Sequence, residues 1–135
     1  MSLTIAQRSP ILIAGTGITI TSTGSTETIS ATATSATNFV TKTSNYTILS
    51  TDHIIYVDTS GGPFTLTLPS PASVSTSTTT QTFQIIDTKG FLSTNNLTLA
   101  PSGSEKIEGL ATSRIFETDW AGWNITTNNV DWFIK

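Results

Sequence analysis

A Gly15-Thr16-Gly17 turn opens a run in which aliphatic and small polar residues alternate, Ile18-Thr19-Ile20-Thr21-Ser22, taken up again at Ile29-Ser30-Ala31-Thr32-Ala33. Period-two alternation is the pattern of an extended strand, with Ile18 and Ile20 on one side and Thr19 and Thr21 on the other. The later stretch repeats it, Ile29, Ala31 and Ala33 against Ser30, Thr32 and Thr34. One copy of such a segment has too little side-chain mass to build a core, so it is expected to meet other copies of itself. The competing reading keeps it within one chain, as a Ser/Thr/Gly tether or as strands of the main body.

The rest of the composition points the same way. Charged residues make up 11% of the 135 positions and Ser plus Thr about a third, against roughly 25% charged in an average soluble domain. Glu and Lys, the usual fillers of exposed helix faces, are scarce, while Thr, Ile and Val lose rotamer freedom in helices and fit a pleated surface. The expected fold is therefore all-β. A hydrophobic content of 36% can supply a core, which separates the chain from disordered sequences. The length allows one domain with a short appendage and lies above the size at which disulfides or metals are usually required.

Several functions are disfavoured by charge and residue type. A net charge of -3 leaves no basic stripe to displace counterions from a phosphate backbone, so no nucleic acid is expected as a partner. The same balance disfavours anionic membrane surfaces. With zero cysteines there is no disulfide framework and no thiolate metal site. Ile11-Leu12-Ile13-Ala14 is far short of the roughly 18 apolar residues that span a bilayer and is too short for a signal h-region. No membrane insertion and synthesis in a cytoplasm without a cleaved signal are the expectations.

Two textures divide the chain. Residues 1–37 contain no aromatic side chain and form the expected extended N-terminal arm; residues 38–135 form the expected body. There, short apolar runs recur between turn signals, as in an antiparallel β-sandwich or jelly roll. Phe39 to Lys42, Tyr46 to Leu49 and His53 to Asp58 read as the first strands. Ile54-Ile55-Tyr56-Val57 is apolar on both faces, so this strand is either central or covered by a neighbouring subunit. Phe64-Thr65-Leu66-Thr67-Leu68 alternates strictly and is expected to bury Phe64, Leu66 and Leu68. Ser73 to Gln81 reads as an exposed loop, Phe83 to Asp87 and Leu97 to Leu99 as strands, and Lys89-Gly90 as a turn. Further short strands are expected near Glu105 to Ile107, Arg114 to Glu117, Trp123 to Thr126 and Val130 to Ile134. No helix is expected.

Catalytic chemistry finds little footing. His53 is the only histidine; it opens an apolar strand and has no nucleophile-elbow motif to serve. Gly15-x-Gly17 lacks a third glycine and precedes a strand pattern, so it is a turn and no phosphate loop. The nine acids are single and dispersed, whereas a glycosidase needs two of them roughly 5 to 10 Å apart. Asp119-Trp120-Ala121-Gly122-Trp123 is the best candidate for a ligand contact, since Asp119, Trp120 and Trp123 combine a carboxylate with aromatic rings. Against that, both tryptophans can equally anchor a loop to the core or to a neighbouring chain. Neither catalysis nor a cofactor is expected.

Five stretches carry a resemblance: Asn45 to Asp58, Phe64 to Pro69, Phe83 to Asp87, Asn95 to Gly109 and Asn129 to Ile134. Their order and spacing resemble a β-domain found repeatedly in tail fibres and related structural proteins of tailed phages and in short proteins of large DNA viruses. Ser73 to Gln81 departs from that pattern as an insertion. The opening Gly-Thr-Gly-Ile-Thr-Ile is similar to fibre-shaft segments. The resemblance implies a homotrimeric virion protein with an N-terminal segment on the three-fold axis and a knob- or spike-like body, and it carries over no catalytic residue. Axial packing is then expected from Ile11, Ile13, Ile18, Ile20 and Ile29, and body contacts from Ile55, Val57 and Phe133. Other virion components and a host-surface glycan or receptor are the expected partners. The alternative function is a monomeric carbohydrate-binding or adhesin module working through Asp119, Trp120 and Trp123.

Overall fold

A computed structural model describes residues 18–23, 26–31, 37–76, 78–110 and 112–135, and the chain divides into two compact units, Met1–Ala36 and Thr37–Lys135. In the first unit β1 (Ile18–Thr23) and β2 (Thr26–Ala31) pair antiparallel. Their register sets Ile20 opposite Ile29 and Ile18 opposite Ala31, while Thr19 pairs with Ser30 and Thr21 with Thr28. The two alternations are thus in phase. Ile11, Ile13 and the Gly15-Thr16-Gly17 turn lie outside the described residues.

The described residues of the second unit form nine strands and one helical turn. They are β3 (Phe39–Lys42), β4 (Tyr46–Thr47), β5 (Ile54–Val57), β6 (Phe64–Thr67), α1 (Pro71–Val74), β7 (Thr82–Asp87), β8 (Leu97–Ala100), β9 (Arg114–Phe116), β10 (Gly122–Thr127) and β11 (Trp132–Ile134). A five-stranded sheet runs β11-β10-β7-β5-β3 and a four-stranded sheet β4-β6-β8-β9. The unit is all-β apart from α1, where the fixed φ of Pro71 suits a first helical turn and Ser75 returns to extended backbone. This turn falls where a loop was expected.

The sheets are mixed, which corrects the expectation of an antiparallel body. From β3 to β8 the chain changes sheet at every strand, so that from β5 on each new strand lies parallel to the one two strands earlier. Phe39 is level with Ile54, Ile54 with Gln84, Tyr46 with Leu66, and Phe64 with Leu97. The physical reason lies in the connections, which carry the chain across to the opposite sheet instead of folding it back as a hairpin. Only the last strands reverse: β9 pairs antiparallel with β8, β10 with β7, and β11 with β10.

Both sheets contribute to one core. Ile55, Val57, Phe83, Ile85, Ile125 and Trp132 from the first meet Phe64, Leu66, Leu97, Leu99 and Phe116 from the second, with Leu68, Leu92 and Ile107 from loops. Each such side chain contributes about 1.5–3 kcal/mol on burial. The alternation of β6 works as expected, with Phe64, Leu66 and Leu68 buried and the threonines between them half-buried.

β5 resolves its own two-sided character by lying between β3 and β7. Ile55 and Val57 have no exposed surface and belong to this chain's own core. They are therefore corrected from contact residues to core residues, since a fully covered side chain has nothing left to offer a partner. Ile54 and Tyr56, the alternate positions, point to the other side of the sheet. There, level residues form rows: Phe39, Ile54, Gln84 and Asn124 in one, Thr41, Tyr56, Ile86 and Gly122 in the next, then Thr82, Thr126 and Phe133. Between Phe39 and Phe133 the strand residues of this outer face are uncharged, and Lys135, whose N–H and carbonyl both pair with Asn124, brings a cation to its edge. Phe39 is 65% exposed and meets the Tyr56 ring edge-on at 5.9 Å.

Candidate functional site

The three residues expected to form a ligand contact come apart in the structure. Trp123 lies on β10 and stacks on Phe116 of β9, with centroids 4.0 Å apart and rings 9° from parallel. Because the two strands belong to different sheets, the buried Phe116 and the half-buried Trp123 close one margin of the core. Trp123 is an anchor. Trp120, three residues earlier, is 70% exposed and holds a left-handed backbone, φ 60°. For a bulky side chain that conformation costs about 1–2 kcal/mol.

What holds Trp120 there is a buried acid that sequence reasoning assigned no role. Asp87, 3% exposed at the end of β7, accepts hydrogen bonds from the backbone N–H groups of Lys89 (3.0 Å), Gly90 (3.0 and 3.1 Å) and Trp120 (2.9 Å). One carboxyl group thereby ties the 88–90 turn to the 117–121 loop. Gly90, at φ 68°, lies directly against the indole: a Cβ there would sit 2.2 Å from Nε1. The signal was present in Asp87-Thr88-Lys89-Gly90, an acid with a glycine three places on, the signature of a side-chain-supported turn.

Asp119 faces Ser93, whose backbone N–H and hydroxyl donate to its two oxygens at 2.7 and 2.8 Å. Those bonds, the backbone one first, hold its carboxyl below the usual carboxylate range. Phe91, beside Gly90 in sequence, is 44% exposed. This end of the unit thus gathers Trp120, Phe91, Asp119 and Ser93 through loops fastened by Asp87.

A second buried acid organises a different loop. Asp52, 2% exposed, accepts from the Tyr46 hydroxyl and the Leu49 N–H, each at 2.9 Å. Desolvation first, and then the bond to and charge of Asp52, push the Tyr46 hydroxyl up to about 12. Lys42 Nζ stands 3.5 Å over the same ring. His53 turns Nδ1 to the Thr51 carbonyl at 3.1 Å. Among the described residues, no three of the His, Asp and Glu side chains converge as a metal-holding group.

The remaining contact candidates are spread out. Phe133 is half-buried on the outer face of the five-stranded sheet, opposite Thr126, and lines a shallow groove with Thr80, Glu108 and Ile134. Ile18, Ile20 and Ile29 occupy in-phase positions of the β1–β2 hairpin. Compared with protein-family models and with curated proteins, the sequence matches none.

Proposed function

We propose that this chain is a non-enzymatic structural protein of a virus or phage particle that assembles as a homotrimer. The observation that carries the reading is the outer face of the five-stranded sheet, where Phe39, Ile54, Tyr56 and Ile86 stand on neighbouring strands without a charged strand residue among them. Soluble surfaces are roughly 25–35% charged, and a sheet face that meets charge at its Lys135 edge and exposes the Phe39 ring suits contact with another copy. Phe133 lies on the same face. The β1–β2 hairpin adds support: two strands alone are marginal in water, and in-phase isoleucine positions gain most from being covered by identical neighbours. The viral assignment rests on the resemblance of the Asn45 to Ile134 stretches to phage and viral structural β-domains. In this reading the virion is the location and other virion components and a host surface are the partners.

Light scattering on the full chain at micromolar concentration tests the assembly. The expected result is the mass of a trimer, reduced to that of one chain by Tyr56→Lys with Ile86→Lys while the far-ultraviolet circular dichroism is kept. A single-chain mass for the unaltered protein overturns the reading. A trimer indifferent to the two lysines, but dispersed by Ile20→Asp, moves the contact from the sheet face to the hairpin.

A further inference from the structure

We propose that the Trp120 indole is a stacking platform for a neutral pyranose sugar, with the Asp119 carboxylate accepting hydrogen bonds from the sugar hydroxyls. The proposal stands on the geometry of this loop and does not depend on the homotrimer.

Tryptophan normally repays its place in a chain by burial, yet Trp120 is the most exposed of the large hydrophobic side chains in the described residues, at 70%. The fold also gives up something to keep it there. A left-handed turn position is ordinarily filled by glycine or asparagine, and here it carries an indole, fixed by a bond from its N–H to the buried Asp87. Gly90 completes the arrangement, because any side chain at that position would drive into Nε1. One part of the ring therefore rests on backbone while the remainder stays open. A ring held so needs no ordering when a ligand arrives, which removes a cost of binding.

The surroundings select the ligand. Each Asp119 oxygen takes one bond from Ser93 and keeps lone pairs for another donor. An acceptor-only group beside an aromatic ring matches a pyranose, whose axial C–H face is apolar and whose rim carries hydroxyl donors. The negative charge of Asp119 opposes phosphorylated or acidic ligands and anionic bilayers. A protein partner would need about 800 Å² of matching surface, whereas the apolar surface here is Trp120 and Phe91 among Ser93 and Asp119.

Nuclear magnetic resonance on the full chain provides the test, with methyl glycosides of glucose, galactose, mannose and N-acetylglucosamine titrated in turn. At least one is expected to shift the Trp120 indole N–H signal, to leave that of the buried Trp132 unmoved, and to receive saturation transfer at its ring protons. Trp120→Ala is expected to weaken binding about tenfold or more, and Asp119→Asn by a smaller factor. Gly90→Ala, which retains the indole but displaces it, is expected to weaken binding as well. The proposal is overturned if none of the four sugars moves the Trp120 signal, or if Trp120→Ala binds undiminished. A response to tetramethylammonium with none to the sugars overturns it too, and assigns the platform to cations.

Discussion

Asp52 and Asp87 are both buried carboxyl groups fastening loops of one small body, and what they fasten is opposite in kind. Asp52 closes on Tyr46 and Leu49, so that its loop ends in a half-buried phenol hydrogen-bonded inside the body. Asp87 gathers three backbone N–H groups from two loops and ends with an aromatic ring in water. The first arrangement gains from everything it touches. In the second, a buried acid and a left-handed backbone are combined to keep a tryptophan outside, and stability alone gives no reason for that. The difference separates a loop lock from a presented surface.

Removing each acid should widen the contrast. Asp87→Ala leaves three buried or half-buried donors without an acceptor and is expected to cost about 3 kcal/mol or more in urea unfolding. It should also free Trp120, seen as a changed fluorescence spectrum. A loss under about 1 kcal/mol would sink the idea that this one carboxyl group ties the two loops. Asp52→Ala removes the acceptor of one hydroxyl and one N–H, and about 2 kcal/mol is expected, with the Trp120 fluorescence unchanged.

The phenol side of the comparison has a pH signature. Tyr46 has its hydroxyl raised from 10.0 to about 12, so the protonated form is favoured in the folded state. Its contribution is fully present below the unfolded value and is lost as pH rises through the window from 10.0 to about 12. Absorbance titration should reveal a late tyrosinate phase that vanishes in Tyr46→Phe and moves down in Asp52→Asn. The smallest effect is expected at Asp119. Ser93→Ala withdraws the hydroxyl bond and should move the carboxyl titration back up toward the ordinary carboxylate range, measurable by carbon-detected resonance. An unmoved titration would assign the lowering to the Ser93 N–H alone.

The all-β character was legible because it rests on local chemistry: Phe64, Leu66 and Leu68 alternate, and the threonines between them fit a pleat. Which strands pair was not. Phe39 lies beside Ile54 and Phe64 beside Leu97, with connections of unequal length and no repeated motif to announce a parallel partner. A chain that crosses between sheets thus reads like one that folds back in hairpins. The same limit explains β5, where four apolar residues in a row conceal which two face the core. At the candidate site, Asp119, Trp120 and Trp123 read as a unit because they are close in sequence. Their separation follows from Trp123 entering β10 while Trp120 remains in the preceding loop. The decisive partner, Asp87, lies on another strand, and only the folded chain brings its carboxyl group to the Trp120 N–H.

The alternating crossover between sheets has a consequence for how such a body can grow. Among the described residues β3 and β4, the earliest strands of the second unit, each stand at the end of their sheet, and the reversed strands β9 and β11 stand at the opposite ends. A duplicated pair of strands spliced in ahead of Phe39 and following the same crossover would add one parallel rung to each layer and leave the reversed strands untouched. The crossover thus gives the body a direction, parallel where it starts and antiparallel where it finishes.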